Sequence, residues 1–149
     1  MFCDGSLTPH HIGYAVLDIE DSKRTFELLG FSAINEQHSD SLRNVNIQFM
    51  KNNAYMIELI AIADICRHSD MNFLIKNGRK FEVTPYHVCF EVDDLEEAMA
   101  ELREKRFVLS AHPAPAPAMR GRLVAFMYHR NTGLIELLER ECHVDKRPE

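Results

Sequence analysis

His11-Ile12-Gly13-Tyr14-Ala15-Val16 alternates small or polar residues with apolar ones at a period of two, which predicts a strand with unlike faces. Asp18 then opens a charged, helix-like run that ends at Leu28-Leu29-Gly30-Phe31. The same order recurs further along. His87-Val88-Cys89-Phe90-Glu91-Val92 is another short alternating strand, and Asp94 opens Leu95-Glu96-Glu97-Ala98-Met99-Ala100-Glu101-Leu102, reaching Phe107. His11/His87, Asp18/Asp94 and Phe31/Phe107 are each separated by 76 residues, so the chain contains an internal repeat.

Each half then carries two more apolar runs. Val45-Asn46-Ile47-Gln48-Phe49-Met50 is followed by the turn residues Lys51-Asn52-Asn53 and by Tyr55-Met56-Ile57-Glu58-Leu59-Ile60. Leu123-Val124-Ala125-Phe126-Met127 is followed by Asn131-Thr132-Gly133 and by Leu134-Ile135-Glu136-Leu137-Leu138. Glu58 and Glu136 lie 78 apart, so the halves differ by two residues in their middles. Each half reads strand, helix, then two or three strands. Between them, Ser69-Asp70 as a cap, Phe73-Leu74-Ile75 as an apolar face and Gly78 as a stop predict a short connecting helix. His112-Pro113-Ala114-Pro115-Ala116-Pro117-Ala118 predicts a stiff, extended loop placed as a rim or flap, because alternating proline excludes helix and central strand.

A length of 149 residues suits one domain with its own core, expected over residues 8–140: one module at about 8–62, a connector at about 63–83 and a second module at about 84–140, with tails at 1–7 and 141–149. Lys and Arg number 17 against 23 Asp and Glu, a net charge of −6, and no basic cluster is present, which argues against a nucleic-acid partner. No run approaches the ~20 apolar residues that span a bilayer, and Met1 to Ser6 lacks the basic flank and apolar stretch of a secretory signal. Cys3, Cys66, Cys89 and Cys142 lie far apart, without a paired motif, and fit reduced bystander thiols in a cytoplasm.

The repeat places one His on the first strand and one Glu on the last strand of each half. On a strand alternate residues share a face, so His11, Gly13 and Ala15 point one way and Ile12, Tyr14 and Val16 the other. Glu58 and Glu136 each stand between large apolar residues, where an uncompensated carboxylate is costly. Two imidazoles and two carboxylates related by a pseudo-twofold give one site that suits a borderline divalent ion with open positions for substrate. Such an ion acts as a Lewis acid toward charge developing beside a C–H bond that loses its proton. A strand Glu facing solvent or a His satisfied within a core is the commoner situation for either residue alone; the matched spacing at all four positions favours the metal site. His10 competes with His11, but Pro9-His10-His11 aligns with Pro85-Tyr86-His87, which selects His11.

These phrases, together with Gly133-Leu134-Ile135-Glu136-Leu137-Leu138-Glu139, resemble the vicinal oxygen chelate (glyoxalase/bleomycin resistance/dioxygenase) superfamily, over about His10 to Glu139. They look especially like bacterial glyoxalase I and methylmalonyl-CoA epimerase. The resemblance implies an α+β fold of two paired βαβββ modules, with metal positions on His11, Glu58, His87 and Glu136 and nickel, cobalt or zinc as the ion. It implies a lactoylglutathione lyase acting by proton transfer through a metal-chelated enediolate, with Glu136 the first candidate base and Glu58 the second. An epimerase-like isomerase is the alternative, weakened because Ser39-Asp40-Ser41-Leu42-Arg43-Asn44 holds no Glu where that family has an extra base. A small-molecule binding or resistance protein of the same fold is a further alternative, though such members usually lack the complete ligand set. A glutathione hemithioacetal or acyl-CoA thioester is the implied partner, with Arg43, Arg120 and Arg122 available to meet its anionic groups. A homodimer is expected, and whether the site forms within one chain or across two is left open.

Overall fold

The computed structural model describes residues 7–72 and 83–141. Residues 73–78, which carry most of the connecting helix expected from the sequence, lie outside this range, as do Cys3 and Cys142. The first half runs β1 (Thr8–Val16), α1 (Ile19–Leu28), β2 (Ser32–Ala33), β3 (His38–Asp40), β4 (Val45–Asn52) and β5 (Tyr55–Ile62). The second runs β6 (Val83–Val92), α2 (Leu95–Glu104), β7 (Val108–Ala116), a 3-10 turn (Pro117–Met119), β8 (Arg122–His129) and β9 (Gly133–Glu139). The architecture is α+β.

The two helices begin and end alike because the same local chemistry is repeated 76 residues apart. Asp18 Oδ1 accepts from the Asp21 amide at 2.8 Å, and Asp94 Oδ1 from the Glu97 amide at 2.9 Å, so each aspartate caps an orphan donor of the first turn. At the other end Gly30 N donates to Glu27 O and Phe31 N to Phe26 O, while Arg106 N donates to Arg103 O and Phe107 N to Leu102 O. Both are Schellman closures, which need a left-handed residue; Gly30 supplies it at φ 87° and Arg106 at φ 70°.

Among the described residues all nine strands join one mixed sheet, in the order β2-β4-β5-β1-β6-β9-β8-β7 with β3 also on β4. β1 pairs parallel with β5 and β6 parallel with β9, and the halves meet where β1 and β6 run antiparallel. β2 and β3 are two short pieces on the edge beside β4; β7 is their continuous counterpart beside β8. The stretch expected as a loop around Pro113 and Pro115 is thus part of a strand. It is an edge strand with register shifts around Ala111, where a missing N–H costs no ladder bond on the open side.

Alternation along the strands sorts three cores. Val16, Ile19, Met50, Ile57 and Leu59 pack under α1, and Val92, Leu95, Met99, Met127 and Leu137 pack under α2. The opposite face collects Val45, Ile47, Phe49 and Ile60 from the first half with Cys89, Met119, Val124 and Leu138 from the second. Because β5 and β9 are covered on both faces, their apolar neighbours go to the helices while Glu58 and Glu136 turn to the shared inner face. β3 lies against the 3-10 turn. There Arg43 Nη1 donates to Asp40 Oδ2 at 2.7 Å and to Pro115 O at 3.0 Å, with Nη2 3.3 Å from Ala114 O. This arginine ties the outer strands of the two halves together.

Candidate metal centre

The register at the β1–β6 junction sets the site. Gly13 stands opposite both Glu58 on β5 and His87 on β6; its counterpart 76 residues on, Cys89, stands opposite both Glu136 on β9 and His11 on β1. The four side chains named from the sequence, His11, Glu58, His87 and Glu136, therefore meet on the inner face within a single chain. Each offers one donor atom, and these atoms lie within 4.8 Å of one another. All four residues are only 4% exposed. His11 Nε2 is 2.9 Å from Glu58 Oε2, His87 Nε2 is 3.2 Å from Glu136 Oε2, and the two Nε2 atoms are 3.3 Å apart.

Burial governs the electrostatics. It pushes the Glu58 carboxyl up to about 8, with the Arg43 charge working against it, and the Glu136 carboxyl up to about 7, aided by Glu58. It lowers the imidazoles of His11 and His87; Glu136 works against this at His11, while His11 adds to it at His87. The donor set is thus two neutral imidazoles and two carboxyl groups without a cation of their own. A divalent ion fits that set, supplying the positive charge that burial denies the carboxylates and accepting both Nε2 lone pairs.

The surroundings repeat as well. Phe49 sets its ring edge-on to His11 at 5.2 Å and Phe126 to His87 at 5.6 Å, while His10 and Tyr86 flank the same imidazoles at 5.1 and 5.3 Å. Two differences break the symmetry. His10 Nδ1 lies 2.8 Å from His11 Nδ1, whereas the buried Nδ1 of His87 meets no hydrogen-bond partner among the described residues. Gly13 gives way to the ring of His87, since a Cβ there would fall 2.5 Å from Cε1; at the matching position Cys89 keeps its side chain and its Sγ donates to Glu136 Oε1 at 3.5 Å. Cys89 is no bystander. His10, His11 and Cys89 form a second close trio, which shares His11.

A cavity of about 510 Å³ opens over the site, within the range of small-molecule pockets. Glu58, His87 and Glu136 line it together with Asp40, Arg43, Tyr86 and a mainly aliphatic wall that includes Ile47, Ile60, Met119 and Val124. Of the three arginines expected to face substrate anions, only Arg43 is in its lining, and its guanidinium is committed to Asp40 and two carbonyls. Arg122 Nη2 donates to Glu91 Oε2 at 2.6 Å and its Nε to Glu139 O; Arg120 is exposed beside Glu141. Among the described residues no helix is long and apolar enough to cross a membrane.

Comparison with known proteins agrees with this architecture. A hypothetical protein from Bacillus halodurans C-125 superposes with a TM-score of 0.76 at 24% identity, covering 97% of this chain and 99% of the other. Methylmalonyl-CoA epimerase from Mycobacterium tuberculosis gives 0.75 at 20% identity over 95% and 93% of the two chains. A Streptomyces coelicolor methylmalonyl-CoA epimerase variant in complex with 2-nitronate-propionyl-CoA gives 0.75 at 22% over 92% and 97%. These likenesses are of fold. No curated protein matches the sequence. The model of the glyoxalase/bleomycin resistance protein/dioxygenase superfamily matches residues 10–126, and the chain belongs to that family, the vicinal oxygen chelate superfamily.

Proposed function

We propose that this protein is a metal-dependent lyase or isomerase that moves a proton on a carbon beside a chelated carbonyl, with the glutathione hemithioacetal of methylglyoxal as first substrate and lactoylglutathione as product. The observation that carries this reading is the convergence of His11, Glu58, His87 and Glu136, one pair from each half, at a cavity large enough for a small molecule. A nickel, cobalt or zinc ion held by these four residues supplies Lewis acidity toward negative charge on the substrate oxygens. The residues do the rest. His11 and His87, kept neutral by burial, present Nε2 to the ion. Glu136 is the first candidate to take the proton from one carbon and return it to the next, and Glu58 the second; both carboxyls line the cavity where the substrate would sit. Cys89 holds Oε1 of Glu136, which leaves Oε2 facing the centre.

One observation favours a second reading, epimerisation of an acyl-CoA thioester such as methylmalonyl-CoA. Asp40, 2% exposed, lines the same cavity and adds a third buried carboxylate. Both its oxygens are engaged, Oδ2 with Arg43 Nη1 and Oδ1 with the Arg43 amide at 3.1 Å, which ranks this reading second. Metal analysis of the purified protein, then parallel assays with the hemithioacetal and methylmalonyl-CoA, tests both. The expected result is hemithioacetal turnover that needs the ion and disappears in Glu136→Gln. A protein that binds none of the three metals, or a Glu136→Gln variant with unchanged turnover, overturns the proposal.

A further inference from the structure

The relation between the two halves isolates one cluster that only the first half possesses. On β1 the register steps from Pro9↔Phe90 to His11↔Cys89, so His10 is the extra residue of a β-bulge. On β6 it steps from His87 to Pro85 against Gly13 and Tyr14, which makes Tyr86 the matching extra residue. A bulge re-aims a side chain that strict alternation would send to the far face, and His10 brings Nδ1 to 2.8 Å from His11 Nδ1. Cys89, fully buried opposite His11, completes the group: one donor atom from each of His10, His11 and Cys89 lies within 4.8 Å of the others. The positions 76 residues away hold Tyr86, His87 and Gly13, which offer neither a second imidazole nor a thiol. The strand junction forms there without them, so the fold itself does not demand His10 or Cys89.

Two imidazole nitrogens and a thiol are a donor set for a thiophilic cation. The 2.8 Å between the ring nitrogens is a hydrogen-bond distance. A tetrahedral ion about 2.0 Å from each nitrogen needs about 3.3 Å between them, which small ring rotations provide. On the far side of the His11 ring, Glu58 Oε2 lies 2.9 Å from Nε2, so a carboxylate that orients a metal-bound imidazole is already in place. Half-buried His10 is the way in, and the Glu91 and Arg122 charges near it are paired with each other at 2.6 Å.

We propose that His10, His11 and Cys89 form a second cation site, for a thiophilic divalent ion such as zinc or cadmium, whose occupation withdraws His11 from the four-residue centre. The ion bonds to Sγ, which releases its proton to solvent, and to Nδ1 of both rings. Both imidazoles stay neutral with their protons on Nε2, where His11 donates to Glu58. A neutral imidazole has one ring nitrogen free to bind, so His11 cannot also give Nε2 to an ion at the centre. The second ion is thus a brake on the first, a coupling that rests on the metal-dependent reading above.

The metal-free protein carrying Cys3→Ser, Cys66→Ser and Cys142→Ser keeps Cys89 as its sole thiol. Titration with cadmium chloride, followed by thiolate-to-cadmium ultraviolet absorption, is expected to raise that absorption to a plateau at one bound ion per chain. Adding Cys89→Ala, or Cys89→Ser should the alanine variant not fold, abolishes it, as does His10→Phe, whereas Glu58→Gln retains it. No absorption, or one that survives His10→Phe and is lost in Glu58→Gln, overturns the site; the second pattern would put Cys89 on an ion at the centre. Nickel bound beforehand is expected to weaken cadmium about tenfold or more, and unchanged cadmium affinity overturns the coupling. A protein that takes up no nickel yet gives the full cadmium pattern overturns the metal-dependent reading and the coupling, and supports the second site.

Discussion

His10 and Tyr86 occupy matching places one residue before the two imidazoles of the site, yet only His10 reaches its neighbour's outer ring nitrogen, at 2.8 Å. With Nε2 of His11 turned to the centre, the proton of a neutral ring sits on Nδ1 and is donated to His10, which fixes both tautomer and ring angle. His10→Asn keeps an acceptor near the position of Nδ1, whereas His10→Phe keeps only the ring. The phenylalanine variant is expected to bind nickel or cobalt 10- to 100-fold more weakly and the asparagine variant to recover most of the loss, as read by titration against a competing chelator. Equal affinities in the two variants would remove this role. The four residues of the candidate site are legible in the sequence because two imidazoles and two carboxylates recur at nearly one spacing. Cys89 is not, since nothing in the positions of four cysteines separates it from exposed Cys66; only the register that sets it opposite both His11 and Glu136 does so.

Elements were legible where a local rule fixes them and opaque where tertiary pairing does. The capping aspartates announce both helices and Gly30-Phe31 the end of the first, and the structure adds that Arg106 carries the strained left-handed turn that glycine fills in the first half. Arg106→Gly is expected to stabilise the protein by about 1 kcal/mol, measured by urea unfolding; a destabilised variant would show that Arg106 makes compensating contacts. β2 and β3 are too short to leave a periodic trace, and the proline alternation in β7 is compatible with an edge that the sequence does not reveal to be one. The sequence places Arg43 toward substrate, but its choice of Asp40 and the β7 carbonyls depends on two strand edges meeting in space, with Arg43 71 and 72 residues from the two carbonyls. Arg43→Met strands the buried Asp40 carboxylate and is expected to cost about 3 kcal/mol. Adding Asp40→Leu should recover most of that loss, and a double variant as unstable as the single would place the tie elsewhere.

For the molecule as a whole, pH dependence follows from where protons reside. Glu58 and Glu136 are pushed up to about 8 and about 7 by burial, so from about pH 4.5 upward the native state holds protons that the unfolded chain has shed, and stability falls as pH rises. His10, lowered to about 4, and His11 and His87, also lowered by burial, act in the opposite sense, but their contribution levels off above about 6.5, where unfolded histidine is neutral too. The metal-free protein is therefore expected to lose thermal stability between pH 6.5 and 8. A bound divalent ion favours the ionised carboxylates, so the increment it adds to the melting temperature should grow over the same interval. A metal-free melting temperature that climbs through this range would contradict the assignment. The central β1–β6 ladder has one more consequence. Each half owns one imidazole and one carboxylate, so a chain severed within residues 63–82 yields two pieces, neither able to chelate strongly alone. If the four residues hold a divalent ion as proposed, reunion of the pieces should depend on that ion, and the metal would then act as a fastener between two half-proteins.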